Sequence, residues 1–505
     1  MTDSKRIVIN VLAQYTRTLF NVCLSLYSTR LILSTLGETD FGIYNVVAGI
    51  VTMLAFLMNA LSITTQRFLS YHYGKAKGQE IHLIFGNSML LHAAISLALL
   101  VILISLYHPI VYHVLNIDVS RQHSAALVYI FTAFMLSVSI ISAPIRSLFI
   151  AHENIVYVSI IDVIDGIFKL IIAYILTYIT YDKLSMYGLM LIGVQLFNLA
   201  ALGIYARIKY DEYHWPSLKE WNIPCIKRIA SFAGWTIYSS GCIITRNQGI
   251  AILFNIFCGT IINAAYGIAQ QVSGAVAFIS SSVVNAINPQ IMKAEGRVDR
   301  GHMIRLAEYE SKYAFLLLAL VAVPLIFEMD DILSLWLVSV PEYTTQFCRL
   351  VLLAALADQL TIGLTSANQA IGKIRNYTLC FYTTKLLTLL LIWIGLLNQM
   401  NVASVLWFYV GIEFVGSIMR LPLLKYEADI NIMHFCKQVF LREIFPFLTI
   451  CLISYVCITF IQDYSYRFLL TFACCLLGGL LSIGFTALDK QEKEKIYSLV
   501  NKYVK

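Results

Sequence analysis

Nine ionisable residues of this 505-residue chain sit inside long apolar runs: Arg17, Arg30, Lys169, Arg246 and Lys385 on the basic side, Asp162, Asp165, Asp358 and Glu413 on the acidic side. A charge at the centre of a bilayer costs from ~2.5 to more than 10 kcal/mol, so each of these groups needs a partner or a water-filled cavity. Charges of both signs with a basic excess, spread over two halves of a chain, suit a cavity between those halves that handles a large anionic or polar substrate.

The first apolar run carries Asn10, Gln14, Arg17, Asn21, Ser25 and Ser28, at steps of 4, 3, 4, 4 and 3. That spacing puts all six on one helical face. At 1.5 Å rise per residue, Arg17 lies about 15 Å in, near the midplane. A buried ion pair or an interhelix clamp would explain one such residue; a stripe along the whole helix favours a cavity. Arg30, near the far end, can snorkel to the interface. In 155–179, Ser159, Asp162, Asp165 and Lys169 again share a face, at steps of 3, 3 and 4. Asp165 and Lys169 can pair at i,i+4, in a structural or a functional role. Asp162 has no local partner and reads as a proton- or cation-responsive group or as the partner of Arg17. Arg246, Asp358, Lys385 and Glu413 stand singly in four further runs, where interhelix ion pairs are the alternative. Amides and hydroxyls recur at Asn59, Ser62 and Gln66 and at Ser281, Asn285 and Asn288.

These residues must be positioned by membrane-spanning helices. The chain is 59% hydrophobic and 13% charged, where a soluble domain carries roughly 25% charge. About 20 residues cross the hydrocarbon core, and fourteen stretches qualify, from 7–33 and 41–65 through 155–179, 229–257 and 345–369 to 440–461 and 466–487. The predicted fold is all-α and integral to the membrane, with about fourteen transmembrane helices. Of the 36 Lys and Arg, 27 fall on the side of the N-terminus, Arg146 and Arg420 among them as turn residues, and 4 fall on the other side. The bias puts both termini on the cytoplasmic side of the membrane. Met1 to Arg6 reads as the lead into a first span and not as a removed signal.

The chain also repeats itself. Leu36-Gly37 through Tyr44 answers to Cys258-Gly259 through Tyr266, and Gly74 answers to Gly296, all at an offset of 222. Ala151 to Tyr157 matches Ile371 to Tyr377 at 220. Six spans per copy return the chain to its starting side, so the copies are parallel repeats, and paired lobes of that kind imply transport by rocking. The expected division is a six-helix lobe at 1–206, a cytoplasmic linker at 207–228, a second six-helix lobe at 229–425, an extra helix pair at 426–487 and a cytoplasmic tail at 488–505, read as a short interfacial helix.

Other function classes lack their signatures. There is no Walker A motif, no DxD-like acidic pair in an outer loop, and no outer loop long enough for a catalytic domain. The 11 cysteines are scattered without CxxC spacing, so neither a metal nor another cofactor is expected. The charge of +7 is spread between spans and sets orientation; it does not suggest a nucleic-acid partner.

With Lys5-Arg6-Ile7 through Arg17 and Arg30, the Leu36 to Tyr44 stretch, and the basic, glycine-containing turn from Arg67 to Gly78 with its echo from Pro289 to Arg300, the chain resembles the polysaccharide-transporter branch of the multidrug/oligosaccharidyl-lipid/polysaccharide exporter superfamily. The branch comprises flippases of O-antigen and capsular repeat units. The resemblance implies alternating access and a substrate of undecaprenyl-diphosphate-linked oligosaccharide moved from the cytoplasmic to the outer leaflet. It further implies membrane lipids as partners, with a polysaccharide polymerase and chain-length machinery downstream, and a role for the extra helix pair in holding the lipid tail. Arg17, Arg246, Lys169 and Lys385, with Asn10, Gln14, Asn21 and Asn59, are the expected substrate contacts; Asp162, Asp165, Asp358 and Glu413 are the expected coupling or gating acids. Two rivals stand beside this reading: a cation-coupled drug exporter of the same superfamily, and an integral-membrane glycan polymerase or ligase.

Overall fold

The computed structural model describes residues 3–75, 78–115, 117–337, 339–461, 466–489 and 492–493; the expected interfacial helix at 488–505 lies almost wholly outside them. Among the described residues there is no strand. The helices run α1 Asp3–Thr52, α2 Ala55–Gly74, α3 Gly78–Pro109, α4 Gln122–Ala151, α5 Ile155–Ile175, α6 Lys183–Lys209, α7 Ile223–Cys258, α8 Thr260–Gly296 and α9 Arg300–Phe327. They continue as α10 Met329–Trp336, α11 Thr344–Gln359, α12 Ile362–Ile371, α13 Ile374–Leu397, α14 Val402–Ala428, α15 Ile432–Gln438, α16 Phe440–Phe460 and α17 Arg467–Ser482. Among the described residues, eleven helical stretches are long and apolar enough to cross a membrane, or twelve if the bent pair α11–α12 counts as one span. This is a multi-pass membrane protein.

Three expected spans take less regular forms. The stretch at 41–65 is divided, because α1 runs on past Gly37 to Thr52 before α2 begins. Gly37, at φ 79° and ψ 169°, kinks α1 in a conformation open only to glycine. The helix at 155–179 forms, but α5 carries three charges in 21 residues. The span at 345–369 is bent by 45° between Gln359 and Ile362. Arg420 inserts at that bend and donates to the main-chain carbonyl of Asp358 at 2.6 Å, which satisfies a backbone group that the break would otherwise leave bare in the membrane.

The chain forms two compact units: residues 1–240 with 292–298, and residues 241–291 with 299–505. In the first, α4 packs against α1, α2, α3, α5 and α6. Its run from Gln122 is free of charge until Arg146, so it can be enclosed on all sides, and Val128, Tyr129, Leu148 and Phe149 are fully buried. In the second, α9 packs against α11, α12, α16 and α17 around Phe315, Leu316 and Phe347. The sequence repeat has structural landmarks in both units. Gly37 and Gly259 both adopt positive φ, and α6 and α14 are each 27 residues long.

Candidate functional site

In the first unit the charges converge where α1, α4 and α5 meet. Arg17 on α1 donates to Asp162 on α5 at 2.7 Å. Arg146, near the end of α4, donates to both oxygens of the same carboxylate, at 2.6 and 3.1 Å. One turn along α5, Asp165 pairs with Lys169 at 2.7 Å and accepts from the Asn198 amide of α6 at 2.7 Å. Three cations therefore surround two carboxylates. The cluster is accessible: side-chain exposure is 26% for Arg17, 34% for Arg146 and 46% for Lys169.

The second unit holds a cluster of the same stoichiometry from α7, α11, α13 and α14. Arg246 is ion-paired to Glu413, donates to Tyr409 Oη at 3.3 Å and lies over that ring. Lys385 bridges Glu413 at 2.7 Å and Asp358 at 3.1 Å. Arg420 binds Asp358 at 2.7 Å and, like Lys385, faces the Phe381 ring. Here the cations are enclosed, with side-chain exposures of 5% for Arg246, 6% for Lys385 and 2% for Arg420. All four ionisable residues expected from this half meet in one network; a ligand would reach Arg246 or Lys385 only by parting ion pairs.

The amides are dispersed. Asn10 donates to the main-chain carbonyl of Glu153 at 3.0 Å, and the Glu153 carboxylate pairs with Lys293 at 2.5 Å. Gln14 is buried. Asn21 packs against Gly166 of α5, and its Oδ1 is buried without a hydrogen bond. Asn59 is exposed. Arg146 and Arg420 are the residues that sequence reasoning missed as cluster members. In the structure α4 continues 5 residues past Arg146 and α14 continues 8 past Arg420, too far for either to be a turn residue.

What this arrangement can do is bind anions. Guanidinium groups held by carboxylates form charge-assisted hydrogen bonds that a phosphate of matching geometry can take over.

No protein-family model and no curated protein matches the sequence. Solved structures do match. The crystal structure of a MATE in the straight conformation aligns with a TM-score of 0.74 over 85% of this chain and 97% of that one, at 11% identity. A transporter of the MOP superfamily from Pyrococcus furiosus, described as having a binding pocket of reverse polarity, gives 0.74 over 85% and 96%, at 12% identity. The MATE transporter ClbM in complex with rubidium gives 0.72 over 84% and 95%, at 14% identity. At such identities the likeness is one of fold, two lobes of six helices.

Proposed function

We propose that the protein is a transporter that flips an undecaprenyl-diphosphate-linked oligosaccharide across the bacterial inner membrane by alternating access, for surface polysaccharide assembly. The observation that carries this reading is the charge balance of the two clusters. Each sets three cations against two carboxylates: Arg17, Arg146 and Lys169 against Asp162 and Asp165, and Arg246, Lys385 and Arg420 against Asp358 and Glu413. A diphosphate head matches that excess, whereas an organic cation meets like charge. One structural neighbour, at 12% identity, is described as having a binding pocket of reverse polarity.

In this reading the accessible cluster makes first contact. The diphosphate takes hydrogen bonds from Arg17 and Arg146 while Asp162 lets them go, and Lys169 leaves Asp165 for the second phosphate or a sugar acid. The enclosed cluster is the coupling element, and Arg246 and Lys385 reach substrate only in a state in which Glu413 and Asp358 have released them. A ligand shifts such an equilibrium only through contacts that differ between the two states, and exchange of ion-pair partners supplies that difference.

Cation-coupled drug export is the competing use of the same fold. A strain lacking the protein separates the two: loss of surface glycan with unchanged drug sensitivity supports the flippase, and increased drug sensitivity with intact glycan removes it.

A further inference from the structure

Within the first unit, the chain turns back where α6 ends. Tyr210 donates its N–H to the Ala206 carbonyl at 2.9 Å, and Tyr213 donates to the Tyr210 carbonyl at 3.1 Å. The Tyr213 ring packs on Phe85 of α3, with centroids 5.8 Å apart, and its hydroxyl comes to rest beside Gly203, 3.0 Å from where a Cβ would stand. Between this returning segment and α6 lies a cavity of about 330 Å3. Its floor is a stripe of α6 that includes Leu196, Ala200, Gly203 and Arg207, at steps of 4, 3 and 4. That face is opposite Asn198, the residue that holds Asp165, so the cavity is turned away from the ion-pair cluster of α1, α4 and α5. Trp215 forms part of the wall and is 61% exposed.

Two polar groups stand at one end of this otherwise apolar groove. Tyr213 is 8% exposed, yet its hydroxyl keeps accessible surface and has no hydrogen-bond partner among the described residues. Arg207 is the one ionisable residue in the wall; it is exposed and has neither a hydrogen bond nor an ion pair among the described residues. No carboxylate lines the cavity, so a cation would meet like charge. A purely apolar guest would leave the guanidinium and the hydroxyl unanswered. Arg207 stands 11 residues beyond Leu196, a rise of about 16 Å, which is close to half of the roughly 30 Å hydrocarbon core. A polar pair at the head of an apolar trough one leaflet deep has the dimensions of a single lipid. We propose that this groove binds a phospholipid of the cytoplasmic leaflet with an anionic headgroup. Arg207 and Tyr213 donate to the phosphate, one acyl chain lies along Leu196, Leu199 and Ala200, and Trp215 sits at headgroup level. A free phosphate ion would use the polar pair and leave the trough empty.

The test uses the purified full chain, delipidated in detergent and titrated with phosphatidylglycerol or with phosphatidylcholine of the same acyl chains. Native mass spectrometry counts the lipid retained. The wild type is expected to retain one phosphatidylglycerol with an affinity several-fold above that for phosphatidylcholine. Arg207→Gln is expected to weaken phosphatidylglycerol about tenfold or more, as loss of a charge-assisted hydrogen bond requires. Tyr213→Phe keeps the ring on Phe85, removes only the hydroxyl, and is expected to weaken it about threefold. Ala200→Phe puts a ring in the trough and is expected to weaken both lipids, whereas Lys209→Gln, on an exposed lysine outside the cavity wall, should change neither. Thermal unfolding of each variant confirms that the fold is intact. Equal retention of the two lipids by the wild type, or unchanged phosphatidylglycerol affinity in Arg207→Gln, overturns the proposal. Displacement of the lipid by an equal concentration of sn-glycerol 3-phosphate also overturns it, because the site would then read the headgroup alone. The inference stands apart from the glycan reading, since neither lipid carries a sugar and the readout is binding, not export.

Discussion

Gly74 and Gly296, 222 residues apart in sequence, pack against each other. A Cβ built on Gly74 would fall on the main-chain carbonyl oxygen of Lys293, and one built on Gly296 would fall on that of Tyr71. Each would also lie close to the partner's Cα, at 3.0 and 3.1 Å. Tyr71 and Lys293 are themselves 222 apart. The last turns of α2 and α8 thus cross in a locally two-fold-symmetric contact in which backbone meets backbone and only glycine fits, the kind of close approach that small residues allow in membranes. The Lys293–Glu153 pair fastens the same turn.

Gly74→Ala or Gly296→Ala should therefore destabilise the protein by about 1–3 kcal/mol, because main chain must move to admit the methyl group. Thermal unfolding in detergent should show a fall of several degrees, while Gly42→Ala, where a Cβ meets nothing within 4 Å, should leave the transition in place. Equal transitions for all three would mean the crossing is loose.

Arg146 should matter as much as Arg17. Both hold Asp162, and Arg146 does so through two nitrogens. Arg146→Ala should lower glycan export about tenfold or more at equal protein level, and Arg146→Lys should restore it only in part, since lysine lacks the planar fork. Full rescue by lysine would show that charge alone suffices there.

The two clusters should differ in energetic weight. Glu413→Gln takes the carboxylate from Arg246 and one of the two from Lys385, both buried, and breaking such a network costs on the order of 3–5 kcal/mol. Lys169→Ala removes a half-exposed i,i+4 pair worth about 0–1 kcal/mol. Unfolding transitions should rank Glu413→Gln far below Lys169→Ala; the reverse ranking would place the rigid cluster in the first unit.

The segment between α6 and α7 has its own pH response. The His214 hydrogen bond at 2.7 Å, aided by the backbone N–H of Ser217, holds the Glu220 carboxyl below its usual range against the opposing effect of burial. A carboxyl lowered on folding stabilises at pH above its unfolded value, about 4.3, and that stabilisation fades as pH falls through the lower folded value. The stability difference between wild type and Glu220→Gln should be present at pH 6 and shrink below about pH 4. A constant difference across that range would mean that the Glu220 carboxylate does not titrate in this way.

The polar face of α1 is legible in sequence because steps of three and four residues map directly onto one side of a helix. The glycine breaks are legible because Gly37 and Gly259 keep a constant offset. Arg146 and Arg420 are hidden because hydropathy does not mark where a helix ends, and an arginine near an apparent end is satisfied by snorkelling. The bend beside Asp358 is hidden for a related reason: Gln359 to Ile362 contains neither proline nor glycine, and the break is sustained by Arg420 from another helix. Glu443 sits next to Arg442 at the start of an apolar run and looks like an interface residue; only packing shows that it is enclosed.

The most direct measurement is the leaflet in which undecaprenyl-linked repeat units reside in a strain lacking this protein, read with a sugar label that reaches only the outer leaflet. Transport by this chain predicts complete repeat units that stay dark to the label until wild-type protein is restored, with Arg17→Ala failing to restore them at normal protein level. Normal outer-leaflet labelling in the deletion strain would contradict it.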